Sequence, residues 1–269
     1  SSAAHVAGRT LASAEAFTWL GEHFQVSLAQ AKEAADWLLL SGVNHLVYHG
    51  VPYSPPGVPW PGWQFYASVN FGPEGGLWRD LPELNGYLAR VQAVLQAGDP
   101  GEDVLLFYSP RDAWHAGGEL FLQNPVPPAF EETGLLLWRR GFAWDAVSER
   151  RLAEARVEDG RVRLGAGRYR ALVVPRTRLI TPDAVRRLGA LARDGATVVL
   201  VGGPPEDVPG WGALDARRAE LRSVLRTIDL EPGGESASRR IAVGKGRLLV
   251  GDDVEPLLGQ AGVAREPMT

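Results

Sequence analysis

The 269-residue sequence contains no cysteine. Disulfides, thiolate metal centres and cysteine nucleophiles are thereby excluded. The redox compartment stays open, because a chain without cysteine suits the cytosol and an oxidising space equally. Lysine is nearly absent: Lys32 and Lys245 stand alone among the 28 basic residues. No run of 18 apolar residues occurs, so nothing reads as a membrane-spanning helix. There is no excess of positive charge either. The net charge of −4 argues against nucleic acid or an anionic membrane surface as the main partner. Neither G-x-G-x-x-G nor G-K-[ST] is found, so no phosphate-binding loop is predicted. The chain begins at Ser1 rather than Met and stops at Pro267-Met268-Thr269, and it is expected to be a section of a longer polypeptide.

What is present is an ordinary globular composition, with 45% hydrophobic and 22% charged residues. The length allows one large domain or two ordinary ones. Leu11–Thr18 is predicted as a short buried strand carrying one carboxylate, Glu15, among small neighbours. Leu28, Ala31, Ala35, Leu38 and Leu39 recur at helical spacing, with Ser27 as N-cap and Ser41-Gly42 as the stop. Val43–His49 is rich in β-branched and aromatic residues and reads as a second strand. Strand, helix, strand is the unit of a parallel sheet. A helix over Leu81–Gln96 follows, ending at the turn Gly98-Asp99-Pro100-Gly101, which marks a domain boundary.

Beyond that turn the alternation restarts. Strands are predicted at Asp103–Tyr108, Phe142–Val147, Tyr169–Pro175, Ala196–Val201 and Arg247–Val250, with a short edge strand at Arg161–Leu164. Helices are predicted at Glu131–Arg140, Thr181 to Gly195, Leu214–Thr227 and Asp253–Ala261. This half reads as an open, doubly wound, flavodoxin-like α/β domain.

Four features bear on chemistry. Glu15 near a strand end is either a catalytic carboxylate or one held by backbone amides or an arginine. His45 and His49 share one strand face; His45 is read as satisfied by a neighbouring loop carbonyl and His49, followed by Gly50 and a long loop, as a site residue. That loop, Val51 to Gly76, interleaves Tyr53, Trp60, Trp63, Phe65, Tyr66 and Phe71 with six prolines. Aromatic rings stack on the apolar faces of sugars. Tyr53, Trp60, Trp63 and Tyr66 suit that role, yet most of the rings are expected to pack inward and order the loop, leaving one or two for a ligand. Asp112 and His115 supply too few ligands for a metal and are read as a domain-interface pair.

Several motifs together resemble glycoside hydrolase family 106, the α-L-rhamnosidases. They are Ser2-Ala-Ala-His5, Ala14-Glu-Ala-Phe-Thr18, Gly42-Val-Asn-His-Leu-Val-Tyr-His49 and Trp60-Pro-Gly-Trp-Gln-Phe-Tyr-Ala67. Arg90-Val-Gln92, Leu95-Gln-Ala-Gly98 and Tyr108-Ser-Pro-Arg-Asp-Ala-Trp-His115 belong with them, as do Tyr169–Pro175 and Asp194–Leu200 in the α/β half. The resemblance implies that residues 1–98 are the terminal βα units of a (β/α)8 catalytic barrel and that 99–269 form an accessory doubly wound α/β domain. It implies inverting hydrolysis of terminal α-L-rhamnosyl linkages, with Glu15 as general base. His49, Tyr53, Trp60, Trp63 and Tyr66 would line the sugar. The partner acid and any calcium ligands would lie upstream of Ser1, so no cofactor is expected in this chain. The partners implied are a carbohydrate substrate and the remainder of the parent polypeptide. Two other readings stay open: a retaining barrel glycosidase with Glu15 as nucleophile, and a non-catalytic carbohydrate-binding or structural fragment. One segment, Val51-Pro-Tyr-Ser-Pro55, departs from the His-Gln-Pro-Trp-like segment of many members, at a position that bears on the sugar held.

Overall fold

The computed structural model describes residues 1–116, 126–234 and 238–267. Two units make up the chain, Ser1 with Arg9–Asp99 and Ser2–Gly8 with Pro100–Thr269. A short helix, α1 (Ser2–Val6), thus belongs with the second unit although the sequence places it at the head of the first.

In the first unit, β1 (Ser13–Ala16), α2 (Leu28–Leu40), β2 (His45–Tyr48) and α3 (Leu81–Gln96) follow in order. The start of α2 is fixed by a capping box. Ser27 Oγ accepts the Gln30 N–H at 3.3 Å, and Gln30 Oε1 accepts the Ser27 N–H at 2.9 Å. Gly42, at φ +83°, turns the chain out of the helix, a left-handed conformation that costs glycine nothing. β1 and β2 are parallel and in register from Ser13↔His45 to Ala16↔Tyr48. Ala16, Leu46 and Tyr48 join a core with Ala31, Ala35, Leu39, Leu84, Leu88, Phe17 and Phe71.

Side chains of α3 cover the outer edge of β2. Gln92 Oε1 accepts the Leu46 N–H at 2.7 Å, and Gln96 Nε2 donates to the Asn44 carbonyl at 2.6 Å. An unpaired parallel edge is thereby partly satisfied. Between β2 and α3 the chain is ordered without regular structure. Ser68 N–H donates to the Trp19 carbonyl at 2.9 Å and Phe71 N–H to Gly50 at 3.3 Å, while Ala67, Val69 and Phe71 are buried.

The second unit contains β3 (Val104–Tyr108), α4 (Arg111–Ala116), α5 (Pro128–Arg139), β4 (Trp144–Ser148) and α6 (Glu149–Leu152). β5 (Arg156–Glu158), β6 (Arg161–Leu164), β7 (Gly167–Tyr169), β8 (Ala171–Val174) and α7 (Pro182–Asp194) come next. Last are β9 (Thr197–Val201), α8 (Leu214–Arg226), β10 (Arg239–Val243), β11 (Gly246–Gly251) and α9 (Val254–Ala261). The six-stranded sheet runs β10-β11-β9-β8-β3-β4, parallel except for β10 against β11. Its five parallel strands, numbered along the chain, read 2-1-3-4-5, the flavodoxin order. Strand residues alternate between two cores. Leu105, Phe107, Leu172, Val198 and Leu248 lie on the side of α7 and α8; Val104, Leu106, Val173, Val199 and Leu249 lie on the side of α5 and α9. Burial on both faces is why these strands read as continuous apolar runs.

The sequence reading of this unit needs correction in several of its strands. Arg161–Leu164 is the centre of a separate antiparallel sheet, β5-β6-β7, rather than an edge. Tyr169–Pro175 is broken at Arg170, whose N–H donates to the Asp103 carbonyl at 2.7 Å, so Tyr169 ends one strand and Ala171 begins another. β10 is an unforeseen strand, because its Arg-Arg-Ile-Ala-Val run pairs only along one edge and lacks the apolar density of its neighbours.

Candidate active site

Glu15 lies on β1 opposite Val47 of β2. Strand alternation puts Ser13, Glu15, His45 and Val47 on the face away from the unit's core. That face is open: Ser13, Glu15, His45 and Val47 are exposed. The expectation of a buried strand therefore fails on this side, because only one face of the two-stranded sheet is packed. The Glu15 carboxylate has neither a hydrogen bond nor an ion pair among the described residues, so the clamped, structural alternative is not what is found.

The neighbouring polar side chains satisfy one another. The parallel register brings Ser13 Oγ within 2.8 Å of His45 Nδ1. His45 is thus a satisfied histidine, but its partner is a hydroxyl on the paired strand rather than the loop carbonyl expected. Thr18 Oγ1 is hydrogen-bonded to His49 Nδ1 at 2.8 Å. That contact depends on Phe17, which adopts φ +76° directly after β1. A bulky residue in the left-handed region is uncommon, and such residues gather where the surrounding fold imposes the conformation. Here the Phe17 ring is buried between Tyr48 and Phe71, at centroid distances of 5.0 and 5.4 Å. The packed ring holds the backbone turned, and the turn delivers Thr18 to His49. Burial raises the Tyr48 phenol, which donates to Asn85 Oδ1 at 2.6 Å.

His49 meets the long loop edge-on, with its ring 4.8 Å from Phe65 and 5.9 Å from Tyr66. Tyr53 and Trp63 form a second edge-to-face pair at 6.2 Å. Trp60 rests on Phe24 at 5.4 Å, and its indole N–H donates to the Glu74 carbonyl at 3.3 Å. Tyr53, Trp60, Trp63 and Tyr66 are all between 57 and 69% exposed. The expectation that most of these rings pack inward is corrected: Phe71 is the ring fully buried here, and backbone contacts at Ser68 and Phe71 order the loop. Thr18 and Ser13 were missed as histidine partners; aligning the two strands residue by residue would have paired Ser13 with His45.

The other candidates fall elsewhere. Asp112 accepts the N–H groups of Arg178 and Leu179 at 2.7 Å each, which makes it a loop staple inside the second unit, while His115 is exposed. At the carboxyl ends of β3, β4 and β8, where doubly wound sheets commonly bind ligands, Arg111 pairs with Glu149 at 2.5 Å and Thr181 donates to the same carboxylate.

Among the described residues, one group brings three potential metal ligands together: His5, Glu102 and Asp145. Asp145 is fully buried; its carboxylate accepts from Tyr169 OH at 2.9 Å and lies 3.0 and 3.1 Å from His5 Nδ1. Hydrogen bonds join His5, Asp145 and Tyr169, whereas Glu102 Oε1 lies 3.7 Å from His5 Nδ1 and its buried Oε2 has no hydrogen-bond partner among the described residues. The bond to Asp145 raises the His5 pKa. Burial, reinforced by Asp145, raises that of Glu102.

The family model of the alpha-L-rhamnosidases, glycoside hydrolase family 106, matches residues 1–268. A rhamnosidase from Novosphingobium sp. PP1Y superposes with a TM-score of 0.71 at 24% identity, over 98% of this chain and 24% of that one. A family-42 β-galactosidase from G. stearothermophilus superposes with a TM-score of 0.56 at 13% identity, over 94% of this chain and 44% of that one. At these identities the two structures show a shared fold. A Formosa agariphila protein, provisionally named a beta-glucuronidase, is 27% identical over 230 residues, which is 82% of this chain and 18% of that protein. The chain thus spans between about a fifth and a half of the length of these relatives. By the family match along its length, the chain belongs to glycoside hydrolase family 106, the alpha-L-rhamnosidases.

Proposed function

We propose that these residues close the catalytic domain of an inverting glycosidase that hydrolyses terminal α-L-rhamnosyl linkages, with Glu15 as its general base. In this reading β1, α2, β2 and α3 are the last two strand–helix units of a (β/α)8 barrel. Glu15 then stands toward the carboxyl end of a barrel strand, where such barrels gather their reactive groups. The observation that carries the reading is the state of Glu15: an exposed carboxylate without a partner among the described residues, beside two histidines already satisfied by hydroxyls.

The chemistry follows from that arrangement. The Glu15 carboxylate takes a proton from a water molecule whose oxygen attacks the anomeric carbon. The glycosidic bond breaks, and the leaving oxygen takes a proton from an acid that the rest of the longer protein supplies. Inversion sets the two carboxyl groups roughly 6.5–9.5 Å apart, leaving room for the water. His49, held by Thr18, offers a polar contact to the sugar, and Tyr53, Trp60, Trp63 and Tyr66 offer stacking surfaces. Calcium is implied by the family. Among the described residues no group of three His, Asp or Glu side chains gathers around Glu15. The partners in this reading are the carbohydrate and the remainder of the polypeptide, with no role for nucleic acid or membrane. Among the described residues no helix is long and apolar enough to cross a bilayer.

The time course of product anomers by NMR, with a terminal α-L-rhamnoside and the full-length protein, tests the reading. β-L-rhamnose as the first product supports inversion. α-L-rhamnose first assigns a retaining mechanism with Glu15 as nucleophile. No hydrolysis, with sugar binding retained, leaves a carbohydrate-binding module.

A further inference from the structure

A recess of about 380 Å³ opens where β8, β9 and β11 begin, at the edge of the sheet opposite its carboxyl ends. Its size falls within the range of small-molecule sites, about 300–1,000 Å³. The charge on its walls runs against that of the chain. The net charge of the protein is −4, yet Arg161, Arg170, Arg240, Lys245 and Arg247 line the recess, with Asp159 as the acidic side chain among them. Arg170 is spoken for: its Nε donates to both oxygens of Asp103 at 3.0 Å. Arg161 shares that carboxylate at 3.5 Å. The other three make no ion pair among the described residues, although Asp159 shares the recess with them. Neither Arg240 nor Lys245 has an ion pair among the described residues, and Arg247 donates to the Gln260 carbonyl at 3.3 Å while its buried Nε has no acceptor.

The recess is also preformed. Lys245 sits at the tip of the β10–β11 turn, one of two lysines in the chain. Its N–H donates to the Arg193 carbonyl at 2.9 Å, and the Arg247 N–H donates to Ala196 at 3.1 Å, which pins the turn to the end of α7. Gly244 adopts φ +58°, and a Cβ there would lie 2.6 Å from the Arg193 carbonyl oxygen, so the turn admits no side chain without shifting that backbone. Several cations lining one recess make the potential within it positive and favour an anion there.

We propose that this recess binds an acidic saccharide, one that carries uronate carboxylates or sulfate esters. Two cations remain committed to Asp103 and three face the cavity, which suits a ligand bearing more than one negative group. The choice of a saccharide rests on the glycosidase reading above; the binding of an anion does not.

The test is titration of the intact protein with oligogalacturonate, with a neutral oligosaccharide of equal length and with inorganic sulfate, by calorimetry at low and at high salt. Saturable binding of oligogalacturonate that weakens with salt and is not matched by the neutral sugar supports the proposal. Arg240→Glu with Lys245→Glu should weaken that binding about tenfold or more, the effect of one lost charge-assisted contact. Both side chains are exposed, and the milder Arg240→Gln with Lys245→Gln, checked by circular dichroism, should give a smaller loss in the same direction. The proposal is overturned by absent binding, by equal binding of the neutral sugar or by variants that bind as the parent does. Sulfate binding as tightly as the oligosaccharide also overturns it, by making the recess a site for a free oxyanion. Release of sugar from an α-L-rhamnoside, measured on the same variants, should stay unchanged; its absence in the parent protein counts against the glycosidase reading and leaves the anion result standing.

Discussion

Replacing Tyr169 by phenylalanine should destabilise the second unit by an amount that the structure sets. Tyr169 and Asp145 are both fully buried. The phenol donates to Asp145 Oδ2 at 2.9 Å, and His5 Nδ1 lies 3.0 and 3.1 Å from the same carboxylate. Burial and the adjacent Asp145 push the Tyr169 phenol far up, so it remains a donor across the accessible pH range. Tyr169→Phe keeps the ring and removes one hydrogen bond to a charged acceptor, worth about 1.5–3 kcal/mol. Asp145 is then left with the imidazole alone, which places the loss toward the upper part of that range. For a unit of this size 1 kcal/mol moves Tm by about 2–4 °C, so a fall of roughly 3–12 °C is expected. Calorimetric melting measures it, and urea unfolding should show a lower midpoint at an unchanged slope. A loss under about 0.5 kcal/mol, the level of an ordinary surface change, would refute the view that this buried cluster anchors the unit.

Other outcomes follow from the same structure. The pKa of His5 is raised by its bond to Asp145, so its contribution to stability is complete below the ordinary histidine value of 6.5 and is lost as pH rises through the folded value. Glu102, raised by burial above 4.5, acts in the same direction. The melting temperature should therefore decline as pH increases beyond these values, and His5→Gln should flatten the slope above pH 6.5. A Cβ on Gly134 of α5 would lie 2.8 Å from the Trp144 ring, so Gly134→Ala should cost about 1–3 kcal/mol by overpacking, read from the urea midpoint. Gln92→Leu should strip the Leu46 N–H of its acceptor at the edge of β2 and cost about 1–3 kcal/mol, with faster amide exchange at Leu46.

Much of the fold is legible in the sequence because local chemistry and tertiary structure agree. Ser27 with Gln30, Thr181 with Pro182, and Asp253 each mark a helix start that the structure keeps. The apolar runs at Val104–Tyr108 and Thr197–Val201 are strands buried on both faces. What stays hidden depends on partners distant in sequence. β5 and β7 are three residues each and become strands only by pairing with β6. His5 and Asp145 are 140 positions apart, and nothing in either neighbourhood announces their bond. The loop aromatics misled for a related reason: Ala67, Val69 and Phe71 supply the burial that most of the loop's rings were expected to supply. At the candidate site, Glu15 and His49 could be singled out from strand ends alone. The Thr18 contact required the left-handed Phe17, a conformation the sequence does not signal.

The most direct test of the central claim is the turnover of Glu15→Gln in the full-length protein with an aryl α-L-rhamnoside. Glu15 is exposed and carries no bond among the described residues, so the substitution should leave folding and Tm unchanged. A general base contributes about 10²–10⁴-fold, and kcat should fall by that factor with little change in KM. A fall of only a few-fold, in a variant that melts like the parent, would contradict the account and remove Glu15 from the chemistry.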